Sequence, residues 1–290
     1  MSSRDDLRAR LYLLRAAEPP APATHQYVTV HGASDAATHV RHGTAPSAVL
    51  DEITRPDARI EDDLDALDKG MARLLTPDDD DWPSGPLGCL AHYAPLALWV
   101  RGSGSFAELT TPAITVTGSR DASGYGNTVA ADFGYELART GTTVISSGGY
   151  GVDEAAHRGA LAADGRTIVV LANGVDRPHP HQQARLFEAV VDQGGLLVSE
   201  YPIGTPPTRK RFHARCRLLA ALGAATVIVE AGLLCSALAV ARAAGEHRRR
   251  VYGVPGPIHS TTSKGVNELL RTGVAEVVSS VEHINNHEVR

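Results

Sequence analysis

The chain has 290 residues, 43% of them hydrophobic and 21% charged, with a formal net charge of −5 at pH 7. That length holds one large α/β core plus a small accessory domain, and the charge excludes a protein that is basic all over, leaving nucleic-acid binding to a local basic stripe. Apolar runs stay short of the roughly 18 residues of a membrane span, and three distant cysteines (Cys89, Cys216, Cys235) without CxxC spacing fit a reducing compartment and offer no metal site.

The start, Met1-Ser-Ser-Arg-Asp-Asp, lacks the apolar core of a signal peptide, so a cytoplasmic protein is expected. Residues 5–17 then carry a helical apolar stripe at Leu7, Leu11 and Leu14, stopped by Pro19-Pro20. Further helices are expected at 35–41, 45–53 and 59–73, the last with Ile60, Leu64, Leu67 and Met71 on one face. Residues 1–72 thus read as a small helical accessory domain, too small to be stable without leaning on a larger body. The connector at 74–83 holds four consecutive aspartates, a solvated loop in its simplest reading. A calcium loop would need alternating ligands and a distal glutamate, which are missing. Residues 96–101 read as a strand, and Trp82 and Trp99 as core residues rather than platforms for bases.

From Ile114 the pattern becomes regular. An alternating β-branched run ends in Gly118-Ser119-Arg120, and Gly124-Tyr125-Gly126 opens an apolar helical pattern through Val129, Phe133, Leu137 and Ala138. Further strands are expected at 142–146, 166–171, 196–199, 225–230 and 250–254, with helices between them at 152–163, 181–193, 212–221 and 236–245. Short strands apolar on both faces and separated by helices predict a doubly wound, mostly parallel, Rossmann-like α/β sheet over 73–283, with a tail at 284–290.

Ligands of such sheets sit at the carboxyl ends of the strands. There the sequence places Gly118, Ser119 and Arg120, then Ser146, Gly148 and Gly149, with Tyr125 and Gly126 opening the first helix. Glycines let a phosphate approach the backbone, a helix N-terminus points free N–H groups at it, and Arg120 supplies a guanidinium fork. GxGxxG and Gly-Lys-Ser/Thr are absent, which disfavours a nicotinamide cofactor and ATP hydrolysis. Glu200 and Glu230 are the carboxylates at strand ends, expected to accept from backbone N–H groups or a neighbouring arginine. Asp153 and His157 lie four apart on one helix face. They read as a proton relay or, more simply, as an i,i+4 pair, with no nucleophile to complete a triad.

Residues 209–217 mix Lys210, Arg211, Arg215 and Arg217 with Phe212 at the mouth of the same edge. Cations that track phosphates plus a ring for stacking are the parts of a single-strand groove. A second cluster, His247-Arg248-Arg249-Arg250, precedes a strand and belongs to the opposite edge.

With those motifs in hand, the sequence resembles the DNA-processing protein A family (DprA/Smf) from about residue 73 to 278. The matching pieces include Leu74-Leu-Thr-Pro77, Gly118-Ser-Arg120 with Tyr125-Gly126, Gly151-Val-Asp153 with Ala156-His157, Ser199-Glu-Tyr-Pro202, Val229-Glu-Ala231, Val254-Pro-Gly256 and Gly265-Val-Asn267. The resemblance implies a cytoplasmic homodimer that binds single-stranded DNA and helps load a RecA-type recombinase during DNA uptake or recombination, with no catalysis, cofactor or membrane. By position it assigns Gly118, Ser119 and Arg120 to a phosphate pocket, and Arg211, Phe212, Arg215 and Arg217 to the family's Phe-x-x-Arg-Asn-Arg segment. Cys216 replaces that asparagine, and Cys235-Ser-Ala-Leu-Ala-Val240 replaces the family's Ser-Gly-Ser-Leu-Ile-Thr. The winged-helix tail of some members is not expected after 283. The second function these departures keep open is a sensor or enzyme for a small nucleotide, whose binding would respond far less to salt.

Overall fold

A computed structural model describes residues 4–288; the first three residues read for export and the last two of the expected tail lie outside it. Five helices lead the chain: α1 (Arg4–Ala16), α2 (Pro22–His31), α3 (Ala33–Arg41), α4 (Ser47–Leu50) and α5 (Glu61–Asp68). The sequence hid α2, because the same proline-rich stretch that stops α1 also starts the next helix. Pro22 stands in its first turn, where the missing N–H costs no intrahelical bond. The helix expected over 59–73 ends early, at a turn through Gly70 with φ of +64°, and the chain goes straight into β1 (Arg73–Leu75).

After α6 (Ser84–Gly88), β2 (Leu98–Arg101) and α7 (Phe106–Leu109), strands and helices alternate. They are β3 (Ala113–Thr117), α8 (Gly124–Arg139), β4 (Thr143–Ser147), α9 (Val152–Ala162), β5 (Thr167–Leu171) and α10 (Ala184–Asp192). Next come β6 (Leu196–Ser199), α11 (Arg209–Leu222), β7 (Ala225–Ile228), α12 (Ala237–Glu246) and β8 (Arg250–Gly253). α13 (Lys264–Arg271), β9 (Glu276–Val277) and α14 (Val281–Glu288) close the chain, and α14 runs past the boundary drawn at 283.

The nine strands form one sheet in the order β1-β2-β6-β5-β4-β3-β7-β8-β9. Only the β1–β2 and β2–β6 pairings are antiparallel. The chain winds outward from β3 to β6, then α11 carries it back so that β7 pairs with β3 on the other side. The order reverses at that point, and it opens a crevice above the carboxyl ends of β3, β4 and β7.

Alternate residues of each strand feed opposite cores, as a two-sided sheet requires. Ile168, Val170 and Val198 pack with α11 and α12, while Val169, Leu171 and Leu197 pack with Leu186 and Phe187 of α10. Trp99 is fully buried and Trp82 nearly so, both as core residues. Leu11, Leu14, Ala36 and Val40 of the leading helices enter the same cluster as Trp99, Val169 and Leu171, so these helices share a core with the sheet. The connector aspartates do more than face solvent: Asp79 accepts from Thr76 N and Oγ1 at 2.8 Å, and Asp81 accepts from Ser105 Oγ at 2.6 Å. Their oxygens serve the protein's own turns. Among the described residues no helix is long and apolar enough to cross a membrane.

Candidate nucleic-acid interface

The crevice is built around Gly118. A Cβ there would lie 2.6 Å from Glu230 O and 2.7 Å from Val152 Cγ2, so only glycine lets the ends of β3 and β7 and the start of α9 close together. Ser119 is then used up along its backbone: its N–H donates to Glu230 O at 2.6 Å, and its carbonyl accepts from Val152 N at 3.1 Å. Arg120, next in line, is exposed and makes no ion pair or hydrogen bond among the described residues.

The N-terminus of α8, expected to receive a ligand anion, already holds one. Glu230 Oε2 accepts from Ser123 N at 2.8 Å and Oε1 from Ser123 Oγ at 3.0 Å, while Ser123 Oγ caps the helix by accepting from Gly126 N. A Cβ on Gly126 would collide with that carboxylate. Gly126 therefore makes room for Glu230 rather than for a phosphate, and the positive end of the dipole is met by a side chain 107 residues away in sequence. Tyr125 leans outward and donates to Pro255 O at 3.1 Å. Ser146 is likewise spent inside the sheet, donating to Val116 O at 2.6 Å.

Arg120, Gly149 and Arg215 of α11 lie near one another at this same edge. A Cβ on Gly149 would stand 3.7 Å from Arg120 Cγ and 3.2 Å from Asp153 Oδ2, which fixes how near the three are. Gly148 is buried against Phe187 and Leu171 and supports this turn from below. Asp153 is buried, accepting from Thr117 Oγ1 at 2.8 Å and from the Ser147 hydroxyl. Burial pushes its carboxyl above the usual range, against the pull of those hydroxyls and of Arg215.

The sequence pairing of Asp153 with His157 does not form. His157 is fully buried with Nε2 donating to Ser147 O at 3.0 Å and Nδ1 2.8 Å from the Thr167 hydroxyl, which itself lies 2.6 Å from Val144 O. Burial lowers its pKa to about 4. Both the relay and the i,i+4 pair are excluded by these partners, and Ser147 with Asp153 has no imidazole to make it a nucleophile.

The basic segment folds three residues earlier than expected, so Arg209, Lys210 and Arg211 occupy the first turn of α11, which contains no acidic residue. Thr208 Oγ1 caps that turn, accepting from Arg211 N at 3.3 Å. Cations at the positive end of a helix dipole repel it and need an anion. Arg211 has its own: Nε and Nη2 donate to Glu18 Oε1 and Oε2 at 2.7 and 2.8 Å. Arg217 is likewise bound to Glu200, with Nη1 on Oε2 at 2.8 Å and Nη2 on Oε1. These two arginines, read from the sequence as phosphate-tracking, are tied to internal carboxylates. Arg209, Lys210 and His213 are exposed and have no carboxylate partner among the described residues.

Arg215 differs from all of them. Its Nε is shielded from solvent with no hydrogen-bond partner, and Nη1 reaches only Val170 O at 3.5 Å. Its guanidinium lies 5.5 Å from the centre of the half-buried Phe212 ring, whose other neighbour is His179 at 5.7 Å. Burial lowers the pKa of Arg215, opposed by Cys216 and Asp153. A half-buried guanidinium whose Nε is shut from water and unpaired, beside exposed Arg120, is the chemistry of an anion pocket. The two thiols that line it stay protonated: Cys216 Sγ lies 3.4 Å from Phe212 O, Cys235 Sγ 3.5 Å from Gly118 O, and burial raises both. The second basic cluster leads into β8 at the opposite edge, where Arg250 faces Glu276 at 3.7 Å.

Comparisons with known proteins place the chain in a family and a fold. Residues 73–288 match the family model described as DNA recombination-mediator protein A. A DprA-named protein of Mycobacterium tuberculosis is 40% identical over 288 residues, covering 96% of this chain and 74% of its own length. Protein Smf of Escherichia coli is 35% identical over 231 residues, 80% of this chain and 61% of that protein. The crystal structure of DNA processing protein A from Streptococcus pneumoniae superposes with a TM-score of 0.77 over 99% of both chains at 24% identity. The Helicobacter pylori protein of the same name, described with its single-stranded DNA binding mode, gives a TM-score of 0.65 at 24% identity, over 75% of this chain and 95% of that one. These two structural likenesses establish a common fold.

Proposed function

The chain belongs to the DNA recombination-mediator protein A family, and on that premise we propose that it binds single-stranded DNA at the carboxyl edge of its sheet and passes the strand to a RecA-type recombinase. The phosphate pocket is Arg120 and Arg215 with the turn Ser147–Gly149, and Arg209, Lys210 and Phe212 extend it along α11. Gly118, Ser119, Tyr125, Gly126, Ser146, Gly148, Arg211 and Arg217 shape and brace that pocket. Residues 73–283 carry the binding function and residues 1–72 act as its accessory domain. The protein works in the cytoplasm as a homodimer and without catalysis.

The observation that carries this reading is Arg215, whose Nε is withheld from water and left without an internal acceptor. A buried donor of that kind costs about 1–3 kcal/mol until an acceptor arrives, and more when it is charged. Every other arginine of the segment that turns inward has a carboxylate. A strand that neutralises several phosphates releases counterions, so its affinity falls steeply with salt, whereas a small nucleotide in the same pocket responds weakly. Fluorescence anisotropy of a labelled oligo-dT, single-stranded and duplexed, at two salt concentrations tests the reading. Salt-sensitive binding that favours the single strand is expected. Equal affinity for duplex, or no binding at low salt, overturns it.

A further inference from the structure

Arg120 opens onto a surface that the pocket alone does not explain. Eleven large apolar side chains are exposed among the described residues, and five of them, Tyr125, Tyr150, Leu233, Leu234 and Ile258, stand on the carboxyl edge beside the anion pocket. Leu234 has no cover at all, and Ile258 and Leu233 are 77% and 60% exposed. Scattered apolar residues are ordinary on a protein surface, but a group gathered around a cationic site is not.

The backbone holds this group rigidly. Leu233 and Leu234 lie in a tight turn closed by Cys235 N donating to Gly232 O at 3.0 Å, and Cys235 Sγ anchors the turn on Gly118 O at 3.5 Å. The loop that carries Ile258 abuts the same turn: a Cβ on Gly232 would stand 3.2 Å from Thr261 O. Tyr125 ties the loop to α8 through its bond to Pro255 O. Thr262 Oγ1 donates to Glu230 Oε1, which links the loop to the N-terminus of α8. The two leucines are thus held in a turn anchored on Gly118 at the end of β3, two residues before Arg120 in the chain. Among the described residues nothing covers Leu234, and Leu233 is covered only in part.

We infer that Leu233, Leu234 and Ile258 form a base-contacting rim, taking up the unstacked nucleobases of the strand whose phosphate sits between Arg120 and Arg215. The inference rests on the single-strand reading above and deepens it by naming what touches the bases. A phosphate held in the pocket leaves its adjoining bases within side-chain reach, and those bases present apolar faces. Aliphatic side chains can wedge against base faces as aromatic ones stack on them. A rim that grips bases, and not only phosphates, also discriminates against a duplex, whose base faces are hidden in the stack.

The test compares a labelled oligo-dT with an abasic oligonucleotide of the same length and charge, using the full chain. The wild type is expected to bind oligo-dT at least about fivefold more tightly than the abasic strand, the low end of what one base contact supplies. The double variant Leu233→Ser, Leu234→Ser, and separately Ile258→Ser, should bring oligo-dT down towards the abasic affinity while leaving the abasic affinity and the salt slope unchanged. These side chains are exposed, so the variants retain the fold, which circular dichroism verifies. Equal wild-type affinity for the two strands, or variants that weaken neither or both alike, overturns the rim. A wild type that binds neither strand overturns the single-strand reading instead.

Discussion

Glu18, just beyond the first helix, holds Arg211 by two parallel hydrogen bonds of 2.7 and 2.8 Å across 193 residues of sequence. Arg211 Nη1 donates to Pro206 O at 2.6 Å, and its guanidinium lies 5.1 Å from the centre of the Tyr201 ring. The start of α11 is thereby fixed against the helical region. Glu18→Ala leaves a nearly buried guanidinium without its carboxylate and is expected to lower stability by about 3 kcal/mol. Urea denaturation reads that loss. Oligo-dT affinity should fall with it, because the helix that presents Arg209, Lys210 and Arg215 loses its brace; tighter binding would mean that Glu18 instead competes with phosphate for Arg211.

The cations of the site separate into two kinds, which mutation should tell apart. Arg120→Ala removes an unpaired exposed cation and should weaken binding to oligo-dT about tenfold, flattening the salt dependence by a little under one unit of log–log slope. Arg217→Ala removes a cation already neutralised by Glu200. It should leave the slope unchanged and cost about 3 kcal/mol of stability, since the buried Glu200 carboxylate loses its partner. Anisotropy titrations across salt, paired with denaturation curves, measure both effects.

His157 gives the fold an acid limit. Its pKa is about 4 in the folded chain against 6.5 as the ordinary value, so the native state excludes a proton that the unfolded chain takes up. The stability from this ring is complete above pH 6.5 and drains away as the pH falls towards 4. About 2 kcal/mol should be lost between pH 7 and pH 5 through this residue. His157→Gln should lack that part of the pH dependence in urea denaturation; an unchanged slope would place the acid sensitivity elsewhere.

The parallel sheet was legible because its strands are continuous apolar runs such as 167–171 and 225–228, and a strand buried on both faces has no other pattern to show. Gly118 was legible as a position that only glycine fits, but the sequence read it as making room for a phosphate, whereas it makes room for Glu230 O and Val152. Glu200 as acceptor for an arginine followed from two charges at neighbouring ends of the crevice. The counter-ions of α8 and Arg211 did not follow: Glu230 and Glu18 meet their partners across 107 and 193 residues, and no local pattern encodes such distances. The Asp153–His157 spacing misled because i,i+4 geometry presumes an exposed helix face, and both side chains point into the protein instead. β1 escaped notice at three residues, its strand character coming from pairing with β2 rather than from its own sequence.

Leu11, Leu14 and Val40 share one apolar cluster with Trp99, Val169 and Leu171, and that sharing governs how the molecule comes apart. A helical region with its own core would melt separately and could be cut away. Here, removing it would strip the apolar faces of β5 and β6 and leave about 25 cal/mol unfavourable for every square ångström uncovered. The chain should therefore lose its structure in a single calorimetric transition whose van't Hoff and calorimetric enthalpies agree. A fragment beginning at Arg73 should be recovered as aggregate, while a nick between the helices and the sheet should leave both pieces together until the whole unfolds.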